Sequence, residues 1–220
     1  MYKPQDKLIC DYPFTCHSQP ETAQDEWVIR KLCGKERGFF IEIGAYDGVY
    51  HSNTLTLERQ LEWTGILIEA DQFAVTKALK VRWARVLNYI VAPDCGSRYF
   101  YLADQWSGLD EYMRPDLRAG HIIYNNPIIR QATVSLQAAL AIEYIPSVVD
   151  YLSIDVEGAE YPILESYFKS PYARKFRCMT VEVGKNQDDL GRLITLLHPL
   201  GYRLDRIQAW EAYFINPELL

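Results

Sequence analysis

The sequence predicts an α/β fold: a doubly wound, mostly parallel sheet with helices on both faces. Three observations predict it. Apolar stretches of strand length alternate with stretches of helical periodicity along most of the chain. The central strand-like runs are apolar throughout, as strands covered on both faces are. Two of those runs, Phe39–Ile43 and Val148–Ile154, lead into turns that combine acids with glycine. In open α/β sheets, that edge is where ligands bind.

The elements follow in order. Residues 1–20 carry Pro4, Pro13 and Pro20 and little periodicity, so they predict an irregular arm. Residues 21–220 then form a single domain. Residues 21–33 predict a helix, with Glu21 and Asp25 early and Trp27, Val28 and Leu32 on one face. Phe39–Ile43 predicts a buried strand. Residues 52–61 predict a helix opened by Ser52 or Asn53. Gly65–Glu69 predicts a second buried strand, and residues 71–80 a helix capped by Asp71. Val86–Val91 is strand-like, although Trp83–Ile90 also fits a helix. Tyr99–Leu102 predicts a short strand.

Residues 103–130 break the rhythm. Gly108, Pro115, Gly120 and Pro127, with aromatic and basic residues between them, predict an insert or lid. A strand at Ala132–Val134 and a helix over 136–145 come next. Val148–Ile154 predicts the clearest buried strand. A helix over 158–168, a strand at Cys178–Val183 and an amphipathic helix over 188–198 follow. Tyr202–Arg206 and Ala212–Ile215 predict a hairpin forming an antiparallel edge.

Bulk composition narrows the function. The net charge is -6, which disfavours nucleic acid as a partner. No apolar run approaches the roughly 20 residues that span a membrane. The first ten residues show no signal-peptide pattern. The cysteines, Cys10, Cys16, Cys33, Cys95 and Cys178, form no C-x-x-C pair and do not cluster with histidine, so a zinc ribbon or finger is not expected. Their scatter predicts reduced thiols and a cytoplasmic location. A Cys10–Cys16 disulfide stays open as an alternative.

The run Phe39–Gly48 is the most informative. Gly44 and Gly48 let backbone approach a ligand without a Cβ in the way. A dinucleotide fingerprint needs G-x-G-x-x-G, but Tyr46 and Val49 stand where its later glycines would be. Glu42 and Asp47 would repel a diphosphate and attract a cation. S-adenosylmethionine carries an ammonium and a sulfonium, and so suits such a turn. Glu69, at the end of the second strand, is placed to grip the ribose hydroxyls of a nucleoside. Without a ligand, the same residues would make a tight turn and a helix cap.

The second acidic run is Asp155, Glu157 and Glu160. Such a group can bind an ammonium, hold a divalent metal or take a proton from a hydroxyl. Glu160 is expected only to favour a helix N-terminus. Glu182, at the tip of a later strand, could join Asp155 and Glu157 in a metal site or end its strand in solvent.

Phe39–Gly48, Ser52-Asn53-Thr54, Gly65–Glu69 and Asp150–Glu160 together resemble the FkbM family of S-adenosylmethionine-dependent methyltransferases. Ser18-Gln19 and Asp25-Glu26-Trp27 look like that family's upstream segment. The resemblance implies a seven-stranded class I methyltransferase (Rossmann-like) fold and O-methylation of a sugar or small-molecule hydroxyl. It implies that Glu42, Gly44, Ala45, Asp47 and Gly48 line the methionine part of the cofactor, and that Glu69 holds the ribose. Ser52, Asn53 and Thr54 would open the helix facing the cofactor carboxylate, and Asp155 would sit beside the transferred methyl. Tyr46 departs from the small polar residue expected in the turn.

Asp155, Glu157 and His51 are the candidate bases. A divalent metal on Asp155, Glu157 and Glu182 is conceivable, but strand-tip acids could act without one. Trp106, Tyr112, Arg114, Arg118, His121 and Tyr124 would either select the acceptor or pack the insert. The rivals are a non-catalytic binding or scaffold protein that kept the fold and a nicotinamide-dependent oxidoreductase.

Overall fold

The computed structural model describes residues 14–184 and 187–220, with no side chain for Gln187. Cys10, and with it the Cys10–Cys16 pairing, lies outside the described residues, as does most of the expected arm. No helix among the described residues is long and apolar enough to cross a membrane.

Seven strands form the main sheet: β1 (Phe39–Ile43), β2 (Thr64–Glu69), β3 (Arg85–Asn88), β8 (Val148–Ile154), β9 (Lys175–Glu182), β10 (Arg203–Gln208) and β11 (Glu211–Ile215). Their order is β10-β11-β9-β8-β1-β2-β3. β11 runs antiparallel to β9 and to β10, and the remaining pairs are parallel. The hairpin expected at the sheet edge is there. Its antiparallel member, however, is tucked inside β10 instead of forming the rim.

The helices are α1 (Gln24–Lys31), α2 (Leu55–Leu61), α3 (Gln72–Val81), α4 (Pro115–Ile123), α5 (Leu136–Ala139), α6 (Glu160–Phe168) and α7 (Gln187–Leu197). α1 has Asp25 and Glu26 in its first turn and Arg30 and Lys31 in its last, matching the helix dipole. Asp71 caps α3 by accepting from Phe73 N–H at 2.9 Å.

The pleat divides the core. Ile41, Ile43, Ile66, Ile68, Leu152 and Ile154 face one side, where α5, α6 and α7 supply the cover. Phe40, Leu67, Tyr151 and Tyr213 face the other, against Trp27 and Val28 of α1 and Leu57 of α2.

A second, four-stranded sheet has the order β4-β7-β5-β6, from β4 (Ile90–Ala92), β5 (Gly96–Tyr101), β6 (Gly108–Leu109) and β7 (Ile128–Ser135). It corrects three expectations. The run Val86–Val91 is not one strand, because the chain leaves the main sheet at Asn88 and enters the second at Ile90. Tyr89 N–H makes the last backbone bond to Glu69 O, and Asn88 Nδ2 donates to the carbonyls of Glu69 and Ala70 where the two strands part. The 103–130 segment contains α4, with Pro115 in its first turn, and β6, so it is a built subdomain face. The helix expected over 136–145 stops at Ala139, beyond which the chain turns toward Pro146, burying Leu140 and Ile145 and exposing Ile142 and Tyr144.

Candidate functional site

The carboxyl ends of β1, β2, β8 and β9 open into one cleft of about 780 Å³, within the usual range for small-molecule sites. It has two halves.

The first half is built on the turn after β1. Gly44 has φ +82°, and an added Cβ would lie 1.7 Å from the Asp155 carbonyl oxygen. Glycine is needed there because two strand tips converge, and it leaves the cleft floor open. Glu69 is held rigidly: Tyr46 N–H and Asp71 N–H each donate to one of its carboxylate oxygens at 2.7 Å. Burial raises its pKa, and those two amides oppose the rise. Ile68, Ala70, Ile90 and Val91 provide an apolar wall beside it. Tyr46 stands at the mouth, its ring edge-on to Tyr50 with centroids 6.4 Å apart.

Ala45, Gly44, Glu42, Ser52, Asn53 and Glu69 all line the cleft, as does Asp155. Asp47, Gly48 and Thr54 stand behind that lining. Asp47 turns back on the chain and accepts from Val49 N–H at 3.0 Å and Tyr50 N–H at 2.8 Å. Gly48 packs on α3, where a Cβ would meet Arg82 and Ala78.

Thr54 belongs to a buried network that the sequence did not reveal. Glu42 accepts from Asn53 N–H at 2.8 Å and from the Ser52 and Thr54 hydroxyls. Ser52 Oγ accepts from Thr54 N–H and Leu55 N–H. The Asn53, Thr54 and Leu55 amides that open α2 are therefore already occupied within the chain. Arg82, its side chain 0% exposed, reaches Glu58 at 3.1 Å and Glu42 at 3.7 Å and donates to Gly48 O, Ser52 Oγ and Thr54 Oγ1. Isolated arginines are common on helix ends, so nothing in the spacing marked this one.

The second half of the cleft is acidic. Asp155 follows β8, and Glu182 ends β9. Glu157 lies between them in a left-handed backbone conformation, φ 62°, a strained state for a residue with a side chain. Glu160 accepts from Val156 N–H at 2.8 Å and Gly158 N–H at 3.0 Å, closing the loop ahead of α6. Burial raises every one of these carboxyls. It pushes Glu157 up to about 8, aided by the charges of Asp155 and Glu160. Glu182 is raised by burial and by the neighbouring charges of Asp155 and Glu160, and Asp155 is raised by burial, with a hydrogen bond to Glu182 opposing the rise. Glu211, at the start of β11, lines the same half and was not singled out in the sequence. An acid that begins a strand carries no motif to mark it.

His51 lines the cleft, but its ring lies 3.8 Å from that of Tyr50 and makes no hydrogen bond to the acids. Of the six insert residues named as candidates for acceptor selection, Trp106 and Arg114 line the cleft, in company with Asp104, Gln105, Ser107 and Asp116. The remaining candidates serve packing or the surface. Arg118 pairs with Asp110 at 2.7 Å, buried His121 stacks on Tyr101, Tyr112 packs on the core, and Tyr124 is exposed.

Residues 42–204 match the model of the methyltransferase FkbM domain. No curated protein matches the chain in sequence. Among solved structures, the METTL16 MTase domain is 14% identical with a TM-score of 0.51, over 88% of this chain and 65% of that one. That likeness extends to the fold. The human methyltransferase 10 domain containing protein is 13% identical, with a TM-score of 0.49 over 87% and 78% of the two chains. The N-terminal domain of human METTL16 in complex with SAH is 14% identical, with a TM-score of 0.48 over 90% and 72%.

Proposed function

The chain belongs to the methyltransferase FkbM family, as an S-adenosylmethionine-dependent enzyme, and from that premise we propose that its acceptor atom is a hydroxyl oxygen on a small molecule or sugar. The family replaces the nicotinamide alternative. The observation that carries the reading is the division of the cleft: a nucleoside-type half around Glu69 adjoins a half walled by carboxylates.

The residues fit the donor. Glu69 would hold the ribose hydroxyls, with its carboxylate already oriented by Tyr46 N–H and Asp71 N–H. Ile68, Ala70, Ile90 and Val91 would meet the adenine. Gly44 and Ala45 would lie along the methionine part. When bound, S-adenosylmethionine supplies an electrophilic methyl on a sulfonium. The chain's own task is to place the acceptor oxygen in line with that methyl and to receive the proton it loses. Asp155, at the strand tip beside Gly44, and Glu157 are placed for this, because both line the cleft and Glu157 Oε2 has no partner of its own. Trp106 and Arg114 would orient the acceptor. An acid-rich wall repels a phosphate backbone, which favours a small acceptor over nucleic acid.

Calorimetry with S-adenosylhomocysteine tests the donor half. Wild type should bind, and Glu69→Ala should bind at least tenfold more weakly, since hydrogen bonds to a charged acceptor contribute about 1.5–3 kcal/mol each. Equal binding by both proteins would remove the ribose assignment. For the acceptor half, incubation with S-adenosylmethionine and a panel of polyhydroxylated and amine acceptors, read by mass spectrometry, should yield methyl ethers. Transfer to nitrogen alone would overturn the hydroxyl reading. Donor binding with no transfer to any acceptor would favour a protein that keeps the fold for binding.

A further inference from the structure

The acidic half of the cleft holds more negative charge than its neighbours balance. Asp155, Glu157 and Glu182 each bring one carboxylate oxygen to within 4.8 Å of the other two. Among the described residues, the cation that reaches them is Arg114, with Nη1 3.6 Å from Glu182 Oε1. It is shared with Asp116 at 3.6 Å.

Two oxygens here are buried without a hydrogen-bond partner: Glu157 Oε2 and Glu211 Oε1, in residues 8% and 1% exposed. Glu211 comes from β11, outside the trio, yet lines the same half of the cleft. Buried polar atoms are nearly always satisfied, so an unmatched carboxylate oxygen aimed at an acid cluster marks the place of a missing positive partner.

We propose that Asp155, Glu157 and Glu182 bind one hard divalent cation, with Glu211 facing its remaining coordination sphere. The donor set is all oxygen, which suits calcium, magnesium or manganese and not the softer metals. Oxygens on opposite sides of a calcium ion stand about 4.6–5.2 Å apart, and around magnesium about 4.0–4.2 Å. The three separations, none above 4.8 Å, lie within what ligands of one such ion span. The cation's role rests on the hydroxyl reading above. The ion polarises the acceptor hydroxyl, and the free oxygen of Glu157 takes the proton as the O–H bond breaks. The new O–CH3 bond forms as the S–CH3 bond breaks, and sulfur keeps the electron pair.

The test uses the full chain, stripped with chelator and dialysed. Calorimetry with Ca2+, Mg2+ and Mn2+, together with Mn2+ paramagnetic resonance, should report one site per chain. Asp155→Asn and Glu182→Gln should each weaken it at least tenfold, with melting curves confirming that they fold. Glu165→Gln, on exposed α6 surface, should leave it unchanged. The wild-type titration decides the matter even if both variants fail to fold: no saturable binding below about 1 mM overturns the site. So does binding that folded variants leave intact. Cation binding without any hydroxyl methylation leaves this site standing and removes the reading it serves. Full-rate methylation in chelator, with no cation bound, does the reverse.

Discussion

Arg82 joins the turn after β1 to α2 and α3 from a fully enclosed position. Its removal would strand Glu58 and Glu42 in the interior, and breaking a buried ion pair by deleting one partner costs about 3–5 kcal/mol. Arg82→Met should lower the urea midpoint accordingly. Arg82→Lys should recover only part of the loss, because an ammonium cannot serve the five acceptors the guanidinium fork now reaches. A wild-type midpoint in Arg82→Met would deny the network a stabilising role. The cysteines separate exposure from reactivity. Cys178 is buried and Cys16 exposed, yet both thiols are pushed up to about 12, mainly by desolvation, with Asp25 adding to the rise at Cys16. At pH 8 that leaves about one thiolate in ten thousand. Site-resolved alkylation of native protein should therefore mark Cys33 and Cys95 quickly, Cys16 slowly despite its exposure, and Cys178 only after denaturation. Labelling of Cys16 as fast as Cys95 would contradict this.

Among the elements, the second sheet presses on the acidic loop through a narrow seam. A Cβ at Gly108 of β6 would meet Glu157 Cβ at 3.2 Å and Met113 Cε at 2.9 Å. Gly108→Ala should push β6 off the loop, lowering kcat while leaving S-adenosylhomocysteine affinity near wild type. Loss of cofactor affinity instead would mean that the two halves of the cleft are not independent. How legible each element was follows from how much of its environment is local. β1, β2 and β8 declare themselves because strands covered on both faces must be apolar throughout, and their acids and glycines lie in the same short runs. The division at Tyr89 was hidden because both sides of it are apolar and strand-like. Where the first strand ends, Asn88 makes side-chain bonds to the backbone at the tip of β2, a contact the local sequence does not mark. The acids of the site were legible at Asp155 and Glu157, where they cluster in sequence. Glu211 reaches the same place only through the pairing of β11 with β9. The upstream Asp25 was legible as an early helix acid and as part of a resemblance, but not as a fastening. In the fold, its carboxylate accepts from His17 N–H, Ser18 N–H and the Thr56 hydroxyl, fastening the arm to α2.

At the scale of the whole molecule, the two sheets share one core. Ile90, Val91, Phe100 and Leu109 of the second pack in the same cluster as Ile41, Leu152 and Met179 of the first. The smaller sheet has no separate interior on which to survive alone, so unfolding should be a single transition. Tryptophan fluorescence, which includes Trp106 beside the cleft, and far-ultraviolet circular dichroism should trace one urea curve. Separated midpoints would show the smaller sheet opening by itself.

The cleft also brings together segments from very different parts of the chain. Glu69 and the turn after β1 sit on strands locked in the middle of the main sheet. The opposite wall draws Gln19 and Gln24 from the start of the described chain, Trp106 and Arg114 from the second sheet, and Trp210 from the final hairpin. The first and last of these are tied together, Gln208 Nε2 donating to Glu21 O and Tyr213 OH to Thr22 O, so they would vary as a pair, while the segment carrying Trp106 and Arg114 varies apart from them. A lineage could thus retarget such an enzyme by editing its periphery, and chimeras that exchange only these segments would be the practical route to altered selectivity.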